Sequence, residues 1–319
     1  MSRFIWVKNS ERQFGKKNKS KEVARNWELY MFLLIPIAYL VIFDYIPMYG
    51  VQIAFRNYTI RDGIWDSAWV GMNQFKKFLS SHMFPQLMYN TLNLSLYSLF
   101  AVFPIPILLA LALNSVKNAS YRKFVQMATY LPYFISVVVL VGIMYTLFNP
   151  RVGLYGVLYK NITGVYPDNV IGRANLFPHL FVWSGAWQNI GYNSIIYIAA
   201  LSAIDSQLYE AAIVDGATRF QRTLHIDIPG ILPTIVILFI LRCGNIMSLG
   251  HEKALLMQND LNMARSQIIS TYVYEVGLKT GVGNYSYATA IGLFNSVINL
   301  AMLVSINKLS QKLNETSLW

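Results

Sequence analysis

Polar and aromatic side chains interrupt three of the most apolar stretches of this sequence, near residues 177–204, 231–250 and 285–306. The candidates for contacting a polar solute are Trp183, Trp187, Asn189, Asn193, Arg242, Asn245 and Asn295. Aromatic rings suit the C–H faces of sugars, and amides or a guanidinium suit hydroxyls and carboxylates. Packing is the more common use of such residues, since amides join helices and aromatic residues form belts at helix ends.

Arg242 is the one arginine inside these stretches. A cation at membrane depth is costly unless it is paired or wetted, and it usually marks a functional position. Two interpretations stay open. Arg242 pairs with a buried acid of a partner chain, or it faces an anionic sugar.

The segment 205–229 is the most structured of the polar connections. Asp205 or Ser206 can cap a first short helix, and Gly216 stops it as a left-handed residue does. Thr218 and Gln221 have the spacing of a capping box that opens a second helix.

Proline placement predicts where this second helix ends. Pro229 is expected to end it, and Pro233 suits the first turn of the next apolar run. A compact helical hairpin with apolar faces is typical of a docking element, and a helix pair lying on a membrane surface is the alternative.

The sequence lacks the motifs of nucleotide-binding and metal-binding sites. There is no Gly-x-x-x-x-Gly-Lys-Ser/Thr loop for nucleotide phosphates, and no His-Glu-x-x-His pair. One cysteine excludes a disulfide framework and a cysteine-based zinc site. The four histidines are scattered over separate segments: His82, His179, His225 and His251. We therefore expect neither a nucleotide-hydrolysing site nor a metal site in this chain.

The amino-acid composition indicates the environment in which these segments fold. The chain has 319 residues, of which 55% are apolar and 13% charged, with a mean hydropathy of +0.39. Soluble domains carry about 25% charged residues, and disorder requires low hydrophobicity. The composition predicts a polytopic membrane protein.

About 20 apolar residues cross a bilayer core as a helix. Six such stretches predict an all-α protein with six transmembrane helices: Trp27–Ile46, Met88–Leu113, Val125–Phe148, Phe177–Ile204, Ile231–Gly250 and Tyr285–Ile306. Pro104 and Pro106 predict a kink in the second helix, and Pro132 predicts one in the third.

Basic residues orient the spans, because cytoplasmic segments carry an excess of Lys and Arg. With the N-terminus inside, the inner segments hold 15 cations in 76 residues and the outer segments 10 in 103. The predicted organisation is a basic tail (1–26), a first helix (27–46), an outer loop (47–87), a five-helix core (88–306) and an inner tail (307–319). Both termini are then cytoplasmic.

The 205–229 segment resembles the EAA loop of binding-protein-dependent ABC transporter permeases. The match consists of Glu210-Ala211-Ala212, Gly216 after three residues, and Ile226-Asp227-Ile228-Pro229 after nine more. Ile228 in place of Leu is the departure. The resemblance implies a type I ABC importer permease fold, with this hairpin seated on an ATP-hydrolysing subunit. The implied coupling residues are Glu210, Ala211, Ala212, Asp215, Gly216 and Phe220.

A second resemblance covers nearly the whole chain from residue 28. The segments 241–245, 250–253, 271–274, 285–287 and 292–296 are similar to the LplB-type branch of sugar permeases. His251 and Glu275 depart from that pattern. The resemblance implies import of an oligosaccharide from a complex glycan, across a bacterial plasma membrane.

The same resemblance implies the partners. They are a second homologous permease in a heterodimer, two ATPase subunits that hold ATP and Mg²⁺, and an extracytoplasmic solute-binding protein. No cofactor bound by this chain, no metal and no nucleic acid are implied.

Three alternatives stay open at this point. The same architecture could import a non-sugar solute such as an amino acid or an inorganic anion. A channel would pass its solute without ATP. A membrane-bound glycan enzyme would alter its sugar.

Overall fold

Helices make up nearly all the regular structure of the chain. The computed structural model describes residues 27–279, 284–314 and 317–318. Within these ranges, pairing between extended segments is limited to two isolated bridges, Arg56 with Trp69 and Thr59 with Gly63. The predicted all-α class is confirmed there. The basic tail 1–26 and part of the tail 307–319 lie outside the described residues.

Seventeen α-helices are found in the described ranges. The first nine are α1 (Trp27–Leu40), α2 (Ile46–Met48), α3 (Gly63–Asp66), α4 (Asn73–Leu79), α5 (Met83–Val102), α6 (Pro104–Ser115), α7 (Ala119–Tyr130), α8 (Val137–Leu147) and α9 (Leu154–Thr163). The others are α10 (Phe177–Ser202), α11 (Ser206–Val214), α12 (Arg219–Arg222), α13 (Ile228–Gly244), α14 (His251–Met257), α15 (Met263–Ser266), α16 (Ile269–Tyr274) and α17 (Tyr285–Asn314). Turns of 3₁₀ helix cover Tyr49–Phe55, Leu131–Phe134 and Ala174–Leu176, and π turns cover Val41–Tyr45, Thr223–Asp227 and Glu275–Lys279.

Four helical segments of the described chain are long and apolar enough to cross a membrane: Trp27–Phe55, Met83–Ser115, Arg219–Gly244 and Tyr285–Lys312. A fifth is obtained if the bent pair Ala119–Phe134 and Val137–Leu147 is one broken span. Helix α10 has 26 residues and occupies the predicted fourth span. It is not among these four segments, because its polar and aromatic residues lower its mean hydropathy. The observed helices are compatible with six spans.

Prolines lie at a change of helix in two of the predicted spans, although the helical path of the second continues over Met83–Ser115. Helix α5 gives way to α6 at Phe103, directly before Pro104. Pro132 lies in a 3₁₀ turn, after which the chain turns by 97° into α8. Ser136 caps α8 by accepting a hydrogen bond of 3.3 Å from the Val139 N–H. The third predicted span therefore consists of two helices that meet at nearly a right angle, a sharper bend than the predicted kink.

Helix α10 lies at the centre of the packing. Phe181 and Val182 pack with Leu94 of α5 and Met144 of α8 in one buried cluster. Nearer its other end, Tyr197 packs with Ile231 of α13 and with α6. A β-carbon at Gly191 would lie 2.0 Å from the Thr129 carbonyl oxygen, so α7 crosses α10 at a point that only glycine permits.

The first helix has a different environment. Helix α1 has no buried residue. The 3₁₀ turn Tyr49–Phe55, beyond α2, packs on the bundle, where Ala54 lies against α17. An apolar helix exposed all round needs lipid or another chain around it.

Candidate functional site

The hairpin of residues 205–229 opens with a capped helix that ends at a glycine. The Asp205 carboxylate accepts a 2.9 Å hydrogen bond from the Gln207 N–H, at the start of α11. Gly216 has a φ of 76°, and the Ala217 N–H donates to the Ala212 carbonyl over 2.8 Å. This is a Schellman-type ending, because a left-handed residue follows the last helical turn. The predicted stop at Gly216 is confirmed.

The second helix of the hairpin opens on the predicted capping box. The Thr218 N–H donates to Oε1 of Gln221 over 2.8 Å, and the Gln221 N–H donates to the Thr218 hydroxyl over 3.3 Å. Two otherwise unpaired N–H groups are thereby satisfied.

The prediction that Pro229 ends this helix is wrong. The helical path continues from Arg219 to Gly244, through the π turn Thr223–Asp227. The Ile228 N–H bonds the Thr223 carbonyl, five residues back. This wider turn resets the hydrogen-bond register, so Pro229 falls in the first turn of α13, where a missing N–H is tolerated. Pro233, expected in that first turn, lies inside α13.

A buried carboxylate fastens the hairpin to the bundle. Asp227 is 3% exposed, and its Oδ1 accepts hydrogen bonds from the Tyr209 hydroxyl over 2.6 Å and from the Asn114 amide over 3.3 Å. Burial, together with the bond to Asp227, raises the pKa of Tyr209 to about 12. Three elements, α11, α6 and the π turn, therefore meet at one oxygen.

The hairpin presents apolar side chains to its surroundings. Val214 is 87% exposed, Phe220 76% and Ile213 57%. Of the predicted coupling residues, Ala212 is half-buried, while the other five are exposed: Glu210, Ala211, Asp215, Gly216 and Phe220. Ile213 and Val214 were missed from sequence, although their position directly before the Gly216 turn signals a loop tip.

A cavity of about 460 Å³ lies between α5, α6, α10 and α13. Its lining residues are Ser98, Val102, Phe103, Pro106, Tyr192, Asn193, Ile195, Ile196, Tyr197, Leu238 and Arg242. We call it the Arg242 cavity. Nη2 of Arg242 donates a 3.3 Å hydrogen bond to the Ser98 hydroxyl. No carboxylate is among the lining residues, and none forms a salt bridge with Arg242 in the described ranges.

Three of the seven predicted solute-contacting residues converge here. Asn193 and Arg242 line the cavity, and Asn245 joins Arg242 on an adjoining space of about 70 Å³. Tyr192 stacks on Tyr133 with ring centroids 3.7 Å apart. Sequence reasoning missed Ser98 because it lies on a distant segment.

Two of the predicted amides donate hydrogen bonds to main-chain carbonyls of the bundle. The Asn189 amide donates to the Gly185 carbonyl of its own helix over 2.8 Å. The Asn295 amide donates to the Met247 carbonyl over 3.2 Å and so joins α17 to the end of α13. Neither residue lines the Arg242 cavity.

The predicted tryptophans lie on one face of α10, and neither lines the Arg242 cavity. The Trp183 indole N–H donates to the Tyr97 hydroxyl over 2.8 Å. Trp187 is exposed one turn further along.

A second cavity, of about 430 Å³, was not predicted. Its lining residues are Tyr89, Asn93, Tyr97, Asn175, Pro178, His179 and Arg265. We call it the Tyr89–Arg265 cleft. The hydroxyl of Tyr97 lies 2.9 Å from Nδ1 of His179.

One buried cation lies beside α10. Lys253 of α14, a helix too short to span a membrane, is 7% exposed. Its ammonium donates to the Phe181 carbonyl over 2.7 Å. Burial lowers the pKa of Lys253 to about 7.

No cluster of three or more His, Cys, Asp or Glu residues with metal-binding geometry occurs in the part of the chain that the structure describes.

Residues 102–315 match the family described as the binding-protein-dependent transport system inner membrane component. Among curated proteins, Protein LplB of Bacillus subtilis (strain 168) is 39% identical over 93% of this chain and 92% of that protein. The polygalacturonan/rhamnogalacturonan transport system permease protein YteP of the same organism is 38% identical over 95% of each chain.

A solved structure agrees with these relatives. A chain of the bacterial alginate ABC transporter, crystallised with an alginate pentasaccharide-bound periplasmic protein, is 36% identical with a TM-score of 0.84. The match covers 93% of this chain and 99% of that one. This chain belongs to the family of inner membrane components of binding-protein-dependent ABC transport systems, in which the permease carries no ATPase site of its own.

Proposed function

We propose that this chain is the permease subunit of an ATP-driven importer for acidic oligosaccharides. The observation that carries the proposal is Arg242, a cation on the wall of a cavity of about 460 Å³ with no carboxylate partner in the described chain.

The charge of Arg242 needs a partner, because a guanidinium at membrane depth is costly unless it is paired or wetted. Ser98 supplies one neutral acceptor, and a guanidinium has five donors. A uronate carboxylate fits the remaining donors, since guanidinium and carboxylate pair through two parallel hydrogen bonds. Polygalacturonan and alginate, named for two similar proteins, are both acidic glycans.

Neutral parts of a sugar also find suitable groups in the Arg242 cavity. Tyr192 is held in a stack on Tyr133, and its ring suits the C–H face of a pyranose. The Asn193 amide can donate to and accept from hydroxyls.

The 205–229 hairpin is the proposed contact with the ATPase. Its exposed apolar tip supports this role, since exposed apolar clusters mark protein-binding surfaces. Glu210, Asp215 and Phe220 supply the contacts, Ala211 and Ala212 the close approach, and Gly216 the turn. ATP and Mg²⁺ are held by two partner ATPase subunits, and this chain pairs with a second, homologous permease.

The proposed topology places the hairpin and both termini in the cytoplasm. The proposed organisation is a first membrane helix (27–46), an outer loop (47–87) and a permease core (88–306). The helical segments themselves extend past these limits, over Trp27–Phe55 and from Met83. A solute-binding protein delivers the sugar on the opposite side.

The test is uptake by the assembled transporter in liposomes. Arg242→Gln should lower uptake of an acidic oligosaccharide by about tenfold or more, with little effect on the same oligosaccharide after its carboxyls are reduced to alcohols. Ser98→Ala, which keeps the charge of Arg242, is the matched control and should have a smaller effect. Equal loss for both sugars contradicts the role of Arg242.

The substrate class has a separate test in the cognate solute-binding protein. Calorimetric titration of that protein with acidic glycan fragments should give binding. Selective binding of an amino acid or an inorganic anion instead overturns the oligosaccharide assignment.

A further inference from the structure

The Tyr89–Arg265 cleft is lined by polar groups that do not line the Arg242 cavity. The Tyr97 hydroxyl accepts the Trp183 indole N–H over 2.8 Å and lies 2.9 Å from Nδ1 of His179. Since an indole N–H is only a donor, the single proton of Tyr97 is free for His179. Nε2 of His179 has no hydrogen bond to any described residue and is left for a ligand.

Arg265 supplies the charge of the cleft. Its guanidinium lies 4.8 Å from the ring centroid of Tyr89. The Tyr89 hydroxyl in turn accepts a 3.1 Å hydrogen bond from Asn93. No carboxylate lines the cleft, and Arg265 forms no salt bridge within the described ranges. The guanidinium contacts Tyr89, including its hydroxyl, and has no carboxylate partner in the described chain, so a bound carboxylate fits it.

Buried hydrogen bonds fix the position of Arg265. Asn90 of α5 is buried, and its amide donates to the carbonyls of Ala264 and Gln267 over 3.0 and 2.9 Å. Gln86 donates to the Ala264 carbonyl as well, over 3.3 Å. The short helix that carries Arg265 is therefore held against α5 by hydrogen bonds to its backbone.

Helical spacing connects the cleft to the Arg242 cavity. His179, Trp183 and Trp187 follow one another at every fourth position of α10 and so share one face. This face leads from the cleft to Asn193 at the cavity. At 1.5 Å per residue, His179 and Asn193 are about 21 Å apart along the helix axis, so one glycan can reach both only if it has several sugar units.

We propose that the Tyr89–Arg265 cleft is a second subsite for an acidic oligosaccharide, in which Arg265 and His179 bind a uronate of a chain long enough to reach the Arg242 cavity. The proposal rests on the proposed function. In the proposed topology the cleft is on the outer side, where the glycan enters.

The test uses the complete transporter with its binding protein in liposomes. The probes are a disaccharide and a pentasaccharide of alginate or polygalacturonan, whichever the wild type imports, with carboxyl-reduced forms of both. Arg265→Gln should raise the apparent KM for the acidic pentasaccharide by about tenfold. The disaccharide and the reduced pentasaccharide should change by less than about twofold. Arg242→Gln, in contrast, should also impair the disaccharide.

Two further variants sharpen the result. Tyr97→Phe keeps the ring but removes the hydroxyl between Trp183 and His179, and it should reproduce part of the Arg265→Gln effect. Arg151→Gln removes an exposed cation that lines neither the cleft nor the Arg242 cavity, and it should change nothing.

Three other results would contradict the proposed subsite. Equal impairment of acidic and reduced pentasaccharides by Arg265→Gln overturns the subsite and assigns the cleft to protein docking. An unchanged KM for the acidic pentasaccharide overturns it directly. Failure of the wild type to import any acidic fragment contradicts the proposed function itself, and the subsite with it.

Discussion

The hydroxyl of Tyr209 donates a 2.6 Å hydrogen bond to Oδ1 of Asp227 and thereby ties the first helix of the hairpin to the π turn that precedes α13. Asn114, next to the end of α6, donates to the same oxygen. Helices α6 and α13 both line the Arg242 cavity, through Pro106 and Leu238. One buried carboxylate therefore connects the hairpin to two elements that form walls of the cavity.

Tyr209→Phe removes a donor to the buried Asp227 and should cost about 1–2 kcal/mol of stability. Because the hairpin then moves less rigidly with α13, we expect fewer sugars imported per ATP hydrolysed. Simultaneous assays of uptake and phosphate release measure this ratio. Tyr121→Phe, at an exposed tyrosine, is the control. A normal ratio in Tyr209→Phe contradicts the mechanical role of this bond.

Gly216→Val tests the turn of the hairpin. Gly216 has a φ of 76° with open space around it, so the substitution introduces strain of about 1–2 kcal/mol or more without a clash. Gly164→Val is a matched control, because Gly164 has a φ of 82°, is equally open and ends α9. Both variants should lose similar stability, but only Gly216→Val should lose copurification with the ATPase. If the two behave alike in that assay, the hairpin is not the coupling element.

Phe220 is the predicted apolar anchor of the interface with the ATPase. Phe220→Ala should weaken ATPase binding by about tenfold, as truncation of a buried aromatic anchor does. Phe134 is equally exposed, at 77% against 76%, and lies outside the hairpin, so Phe134→Ala is the control. Binding in detergent can be followed by biolayer interferometry. Undiminished binding by Phe220→Ala would show that the anchor lies elsewhere.

The buried amine of Lys253 predicts a pH dependence of stability. Its pKa is about 7 in the folded chain and 10.5 ordinarily, so between these values the unfolded chain binds a proton that the folded chain does not. Stability should therefore rise with pH across this window, by up to about 1.4 kcal/mol per unit. Below pH 7 this contribution levels off.

Thermal unfolding in detergent at several pH values measures this slope. Lys253→Met should flatten it, whereas Lys76→Met, at an exposed lysine, should keep it. An unchanged slope in Lys253→Met assigns the dependence to other groups.

Local signals explain why most of the hairpin could be predicted from the sequence. The capping box of Thr218 with Gln221 and the stop at Gly216 each depend on residues within a few positions of one another. The error at Pro229 has a local cause as well. A π turn shifts the register by one residue, and no spacing rule for ordinary α-helices anticipates that shift.

The proposed solute path was predicted less completely, because it depends on contacts between distant segments. Arg242 could be identified because a charged side chain inside an apolar run is energetically costly. Its hydrogen-bond partner Ser98 could not, because it is 144 residues away in the sequence. Asn295 had the same sequence signal as Asn193, yet it bonds the Met247 carbonyl. Only the fold separates an amide that faces a cavity from one that joins helices.

We propose that sugar crosses through this chain only when an ATPase acts on the 205–229 hairpin. The most direct measurement is uptake of a radiolabelled acidic oligosaccharide into liposomes that contain both permeases, with binding protein present and with or without the ATPase subunits and ATP. We expect uptake with ATPase and ATP, and background levels when either is omitted or when Gly216→Val is used. Equal uptake without the ATPase would contradict it.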